Sequence, residues 1–98
     1  MEKQANRLRP WAGRYAQQMS QLTLSTYGTI CHLCGRDGAK TADHIVPRAA
    51  GGSDALSNLR PAHLLCNALR RDMPLERWYA EHPLPRMGNR AEPSRKWV

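Results

Sequence analysis

Cys31-His32-Leu33-Cys34, Asp43-His44-Ile45-Val46-Pro47-Arg48, Gly51-Gly52-Ser53-Asp54, Ser57-Asn58-Leu59-Arg60-Pro61 and His63-Leu64-Leu65-Cys66-Asn67 follow one another between Thr29 and Arg71. The first and last of these stretches read as two halves of a metal site. Cys31-x-x-Cys34 sets two thiolates on one tight turn, with a bite that suits tetrahedral zinc. His63-x-x-Cys66 adds a second pair about one helical turn apart. Cys31, Cys34, His63 and Cys66 together make a Cys₃His set, an accepted composition for structural zinc, and four filled positions leave no open site for chemistry. The rival reading, a redox Cys-x-x-Cys, asks for a thioredoxin-like βαβ setting that the flanking sequence lacks. His32 lies inside the first pair and reads as an exposed bystander.

The rest of the composition agrees with a stapled fold. A chain of 98 residues supports one domain. Only 41% of it is hydrophobic and Phe is absent, so its core is thin. Small cores of this kind usually rely on a metal or disulfides. Three cysteines cannot all pair within one chain, and in a reducing compartment such thiols more often hold a metal. No apolar run is long enough to span a membrane. Residues Met1 to Asn6 are polar and lack a secretory apolar region. The expectation is a cytoplasmic protein with no membrane partner. A formal charge of +7 favours a polyanionic partner. That points to DNA, bound without marked sequence preference.

Along the chain, residues up to Arg9 read as a short basic arm. Pro10 suits a first helical turn. Trp11, Tyr15, Met19 and Leu22 then mark one face of a helix that ends near Gly28. Asp37-Gly38 signals a turn. Thr41 to Val46 favours a strand ended by Pro47, and Ala49 to Ser53 a flexible loop. Leu56 to Arg60 reads as a second short strand, giving an irregular hairpin. A helix over 62–72 carries His63, Cys66, Asn67, Arg70 and Arg71. Pro74 breaks it, and Leu75 to Glu81 forms a further short helix with Leu75, Trp78 and Tyr79 inward. After His82 the proline and arginine content predicts an extended, partly disordered tail, with Trp97 free to dock on the core or a partner. The whole is α+β: 1–27 arm and helix, 28–72 metal-stapled core, 73–98 short helix and tail, in a single domain 1–98.

Between the two pairs, and directly after the second, lie the groups of a metal-dependent phosphodiesterase. Such an enzyme needs hard oxygen ligands for a divalent cation, a base for water, and groups that hold the base. Asp43 offers a carboxylate, Asn67 an amide oxygen, and His44 an imidazole, the side-chain type suited to general-base work. Asn58 can hydrogen-bond across the loop and fix its shape. Adjacent strand positions point to opposite faces, so Asp43 and His44 can share a site only where the strand is ending. Singly, each residue has a plainer reading: a loop cap, a core histidine, a turn asparagine, a surface helix residue. Their arrangement between and beside the two zinc pairs is what favours chemistry.

Asp43-His44-Ile45-Val46-Pro47, Gly51-Gly52, Asn58-Leu59-Arg60-Pro61 and Cys66-Asn67 resemble the HNH endonucleases, most closely small phage-type and actinobacterial members with flanking zinc pairs. The likeness covers about residues 27–78. It implies a ββα-metal, or His-Me finger, fold. His44 and Asn58 would be the catalytic pair, His44 as general base. Asp43 and Asn67 would hold the catalytic cation in an H-N-N version of the motif, and an amide oxygen there suits Mg²⁺ or Mn²⁺ over Zn²⁺. Arg48, Arg60, Arg70 and Arg71 are the nearest cations for phosphate contacts. The implied activity is metal-dependent DNA cleavage. Small phage members also imply a link to genome packaging, with terminase or other packaging proteins as partners and the host cytoplasm as location. The alternative class is a non-cleaving, zinc-dependent DNA-binding or packaging adaptor.

Overall fold

The computed structural model describes residues 9–84. The expected N-terminal arm, apart from Arg9, and the expected tail from Pro85, Trp97 included, lie outside the described residues. Helix α1 spans Gly13–Tyr27, strand β1 Thr41–His44, strand β2 Leu59–Ala62, helix α2 Leu64–Arg70 and helix α3 Leu75–Glu81. Single 3₁₀ turns cover Arg48–Ala50 and Leu56–Asn58. This is a small α+β fold: a two-stranded antiparallel sheet, helices, and a Cys₃His group.

Several element boundaries differ from the sequence reading, for local reasons. Helix α1 starts at Gly13 rather than Pro10, with Ala12 extended in front of it. Its inner face carries Tyr15, Met19 and Thr23, while Leu22 is 46% exposed. The packed face is centred on Met19, Ser20 and Thr23, with Ala16 and Leu24 half-buried beside them, so Leu22 falls beyond its edge. Thr23 tolerates full burial because its hydroxyl donates to the Met19 carbonyl at 2.7 Å. Strand β1 stops at His44, two residues earlier than expected, because Asn58 takes over the pairing. The Ile45 N–H donates to the Asn58 carbonyl at 2.8 Å and the Val46 N–H to Asn58 Oδ1 at 2.9 Å. Leu56–Asn58 is therefore a turn rather than strand. Helix α2 is shorter than 62–72 because His63 stands in front of it in extended geometry and Arg71, at φ 58°, leaves it.

In the sheet Thr41 pairs with Ala62, Ala42 with Pro61, Asp43 with Arg60 and His44 with Leu59. Pro61 is tolerated because a two-stranded sheet leaves each strand an open edge. That edge is used: the His32 N–H donates to the Pro61 carbonyl at 2.8 Å, tying the Cys-x-x-Cys turn to β2. The core lies under this junction. Cys31, Leu33, Ala39, Ala62 and Trp78 are buried together, with Leu24, Met73, Leu75 and Tyr79 against them. Trp78 brings α3 in and donates its indole N–H to the Leu33 carbonyl at 2.9 Å. With so few large apolar groups, the cysteines are themselves core residues. Among the described residues no helix is long and apolar enough to cross a membrane.

Candidate active site and zinc site

The zinc group forms where three short pieces meet. The Cys31–Cys34 turn is closed by Gly35 N–H to Cys31 carbonyl and Cys31 N–H to Arg36 carbonyl, both 2.8 Å. His63 precedes α2, and Cys66 stands in its first turn. The four ligand atoms lie within 4.8 Å of one another. His63 Nδ1 is 3.3 Å from Cys34 Sγ and 3.7 Å from Cys66 Sγ. Its Nε2 donates to the Asp37 carbonyl at 2.9 Å, which leaves Nδ1 as the ligating nitrogen. A Cβ on Gly38, at φ 100°, would stand 3.4 Å from His63 Nε2, so the turn that offers this carbonyl needs glycine. Without a cation the cluster resists ionisation: burial, then the neighbouring Cys31 and Cys34, pushes the Cys66 thiol up to about 12. A dication reverses that balance, and the donor set fits tetrahedral zinc.

The second site is a cavity of about 230 Å³ at the end of β1. Asp43, His44, Asn67, Arg48, Arg71 and Trp11 line it. The adjacency of Asp43 and His44 is resolved by the strand ending there, with different neighbours holding each side chain. Asp43 is 4% exposed. Its Oδ2 accepts from Arg70 Nη1 at 2.6 Å and from His32 Nε2 at 2.8 Å. Asn67 donates Nδ2 to the Ala42 carbonyl at 3.1 Å. Asp43 Oδ1 and Asn67 Oδ1 therefore remain as acceptors without a hydrogen-bond partner among the described residues. Asp43 and Asn67 both line the cavity, and such oxygens are of the type that could hold a hard divalent cation.

His44 faces the same cavity from the other side. Its Nε2 lies 2.8 Å from Asp54 Oδ1 and its ring meets the Trp11 ring edge-on at 4.5 Å. Asp54 also accepts from the Tyr15 hydroxyl at 2.7 Å and lies 3.2 Å from Arg48 Nε. Burial first, then the hydrogen bond and charge of Asp54, raises the Tyr15 phenol above its ordinary value. Asn58 does not line the cavity. Its side chain meets Val46 N–H, the Val46 carbonyl at 3.1 Å and the Ser53 carbonyl at 2.8 Å, so it clamps the loop behind His44. Gly52 fits under that clamp only as glycine, since a Cβ there would fall 1.8 Å from the Val46 carbonyl oxygen.

The four arginines part company. Arg48 and Arg71 line the cavity, while Arg60 stacks on the Tyr27 ring at 4.1 Å on the sheet's flank. Arg70 is 1% exposed and donates to Asp43 and to the carbonyls of His44, Ile45 and Met73. The expected phosphate contact by Arg70 is corrected: its guanidinium is consumed inside the protein and props the β1 end. His32 is likewise no exposed bystander. Its ring joins the zinc turn to Asp43, and the Tyr79 hydroxyl donates to its carbonyl at 2.6 Å. Asp54, Tyr15 and Trp11 were missed as site residues. Only the placement of Asp54 just after Gly51-Gly52 hinted at a loop that turns back. A larger apolar groove of about 660 Å³ runs between α2 and α3, past Leu65, Leu69 and Trp78. No carboxylate or side-chain amide lines it, and its two histidines are His63 of the Cys₃His group and His82, which stacks on Trp78, so the small cavity is the candidate active site.

Comparison with curated proteins and comparison with solved structures each returned no significant match. Residues 31–72 match the family model of the HNH endonucleases. That segment contains both Cys/His pairs, the hairpin, α2 and every cavity residue except Trp11, so it is this central stretch, 42 of the 98 residues, that is similar to the HNH endonucleases.

Proposed function

We propose that this protein is a metal-dependent DNA endonuclease of the H-N-N type, with the domain stapled by one zinc at Cys31, Cys34, His63 and Cys66. The observation that supports it most is that Asp43, Asn67 and His44 line one small cavity. Asp43 and Asn67 hold the catalytic cation. When bound, that cation supplies Lewis-acid stabilisation of charge on the phosphate and the leaving oxygen. His44 takes a proton from water as its oxygen attacks phosphorus, and the bond to the 3′ oxygen breaks; that oxygen takes a proton from solvent, leaving a 3′ hydroxyl and a 5′ phosphate. Asn58 is a positioning residue that holds the loop behind the base. Arg48 and Arg71 at the cavity, with Arg60 on the flank, steer and seat the DNA backbone. Cytoplasmic location and packaging partners such as terminase belong to this reading through the resemblance alone.

The test is cleavage of plasmid DNA by wild type, His44→Ala, Asp43→Asn and Asn67→Ala over titrations of Mg²⁺ and Mn²⁺. Asparagine replaces Asp43 because alanine would strand the buried Arg70. His44→Ala should lose about 10²–10⁴ in rate and resist rescue by metal. Asp43→Asn and Asn67→Ala should recover in part at high metal concentration, and Asn58→Ala should be milder. Cleavage by His44→Ala at the wild-type rate refutes the mechanism.

A further inference from the structure

Asp54 has no part in the reaction as described above, yet the fold goes to some length to bury it. It follows two glycines on a polar loop, where an aspartate is ordinarily solvated, but it is only 4% exposed. The tight passage at Gly52 and the hydrogen bond from Asn58 Nδ2 to the Ser53 carbonyl turn the loop inward just before it. Three donors meet its two oxygens: Tyr15 at Oδ2, and His44 Nε2 and Arg48 Nε at Oδ1.

An ionised carboxylate only accepts hydrogen bonds, so the His44 nitrogen facing it carries a proton. In a neutral imidazole that leaves the lone pair on Nδ1. No described residue hydrogen-bonds Nδ1, and Trp11 packs edge-on against the ring. We propose that Asp54 is a positioning residue that fixes His44 as its Nε2–H tautomer and so presents Nδ1 as the basic nitrogen to the attacking water. This rests on the reading of His44 as the base. A merely structural Asp54, serving Arg48 and the loop, would leave the choice of tautomer to other groups.

The experiment has two arms. In the first, ¹⁵N-labelled, zinc-loaded wild type is studied by NMR at a pH where His44 is neutral, with His44→Ala used to assign its signals. The Nε2–H tautomer is expected, and a predominantly Nδ1–H ring overturns the proposal whatever the variants do. In the second arm, Asp54→Leu is compared with wild type. Leucine fills the space but accepts no hydrogen bond, so the ring should lose its preference for the Nε2–H form, whereas an asparagine could keep its oxygen on His44 and Arg48 and turn its amide to Tyr15. The kcat should fall about 10²–10⁴-fold, the scale of general-base help, with KM and zinc content little changed. Wild-type kcat in Asp54→Leu, or a lower kcat with an unchanged tautomer, overturns the proposal. If His44→Ala is inactive while Asp54→Leu is fully active, only the role of Asp54 fails. If His44→Ala is fully active, the base assignment fails first.

Discussion

Replacing Arg70 by methionine should cost more stability than any other single arginine change in the described structure. Methionine keeps much of the volume but removes every donor. Asp43 then loses its 2.6 Å ion pair, and the carbonyls of His44, Ile45 and Met73 lose their partners. Removing one member of a buried pair typically costs about 3–5 kcal/mol, because the other charge stays buried. The three stranded carbonyls push the loss toward the top of that range. A domain has about 5–15 kcal/mol in total, so the variant should be marginal at room temperature. Arg70→Lys should fall in between, since one ammonium cannot reach Asp43 and three carbonyls in the geometry of a planar guanidinium. The assay is urea unfolding, followed by tryptophan fluorescence and circular dichroism, with saturating zinc and no added Mg²⁺. A double-mutant cycle with Asp43→Asn separates the charge from the rest, and a coupling of about 1–3 kcal/mol is expected. A loss below about 1 kcal/mol for Arg70→Met, or no coupling in the cycle, would show that the buried pair does not hold the end of β1.

Metal analysis should find one zinc per chain, and stripping it should unfold the centre of the domain, since structural zinc carries folding free energy on the order of 10 kcal/mol. With the Cys66 thiol at about 12 in the metal-free cluster, protons compete with zinc and affinity should fall as pH falls; a folded, metal-free preparation would refute the site. DNA affinity should fall with salt, and with Arg70 withdrawn from the four arginines, three phosphate contacts give a log–log slope of about −2.7; a flat response would rule out the electrostatic footprint. Tyr15 has a raised value in the fold, so its contribution to stability is complete below its ordinary value of 10.0 and is lost as pH rises through the folded one. The stability gap between wild type and Tyr15→Phe should therefore close in alkali, and a gap that widens there would reverse the sign.

The zinc ligands were legible because ligand spacing is local. Cys31-x-x-Cys34 and His63-x-x-Cys66 each bring two donors together within one turn, whatever the rest of the chain does. The short helix Leu75–Glu81 was legible to the residue, because Pro74 marks its start and its apolar positions share a face. The hairpin and α2 were legible as elements but not in their ends. Those ends were set by Asn58 reaching across to Val46 and by the left-handed backbone of Arg71.

The sequence by itself determined which groups the reading can draw on: an imidazole, a carboxylate, an amide and a Cys₃His set, with Asp43 and His44 between its two pairs and Asn67 directly after the second. Tertiary structure alone decided which of the surrounding polar residues serve them. Arg70 and Arg71 are neighbours of one residue type, yet one is buried against Asp43 and the other is exposed at the cavity. Asp54 reaches His44, and His32 reaches Asp43, from ten or more positions away, through a glycine-bound loop and the Cys31–Cys34 turn. Partners of this kind have no periodicity to betray them. Burial makes each pairing obligatory, because a charge removed from water must find its counterpart, and burial is a property of the folded chain.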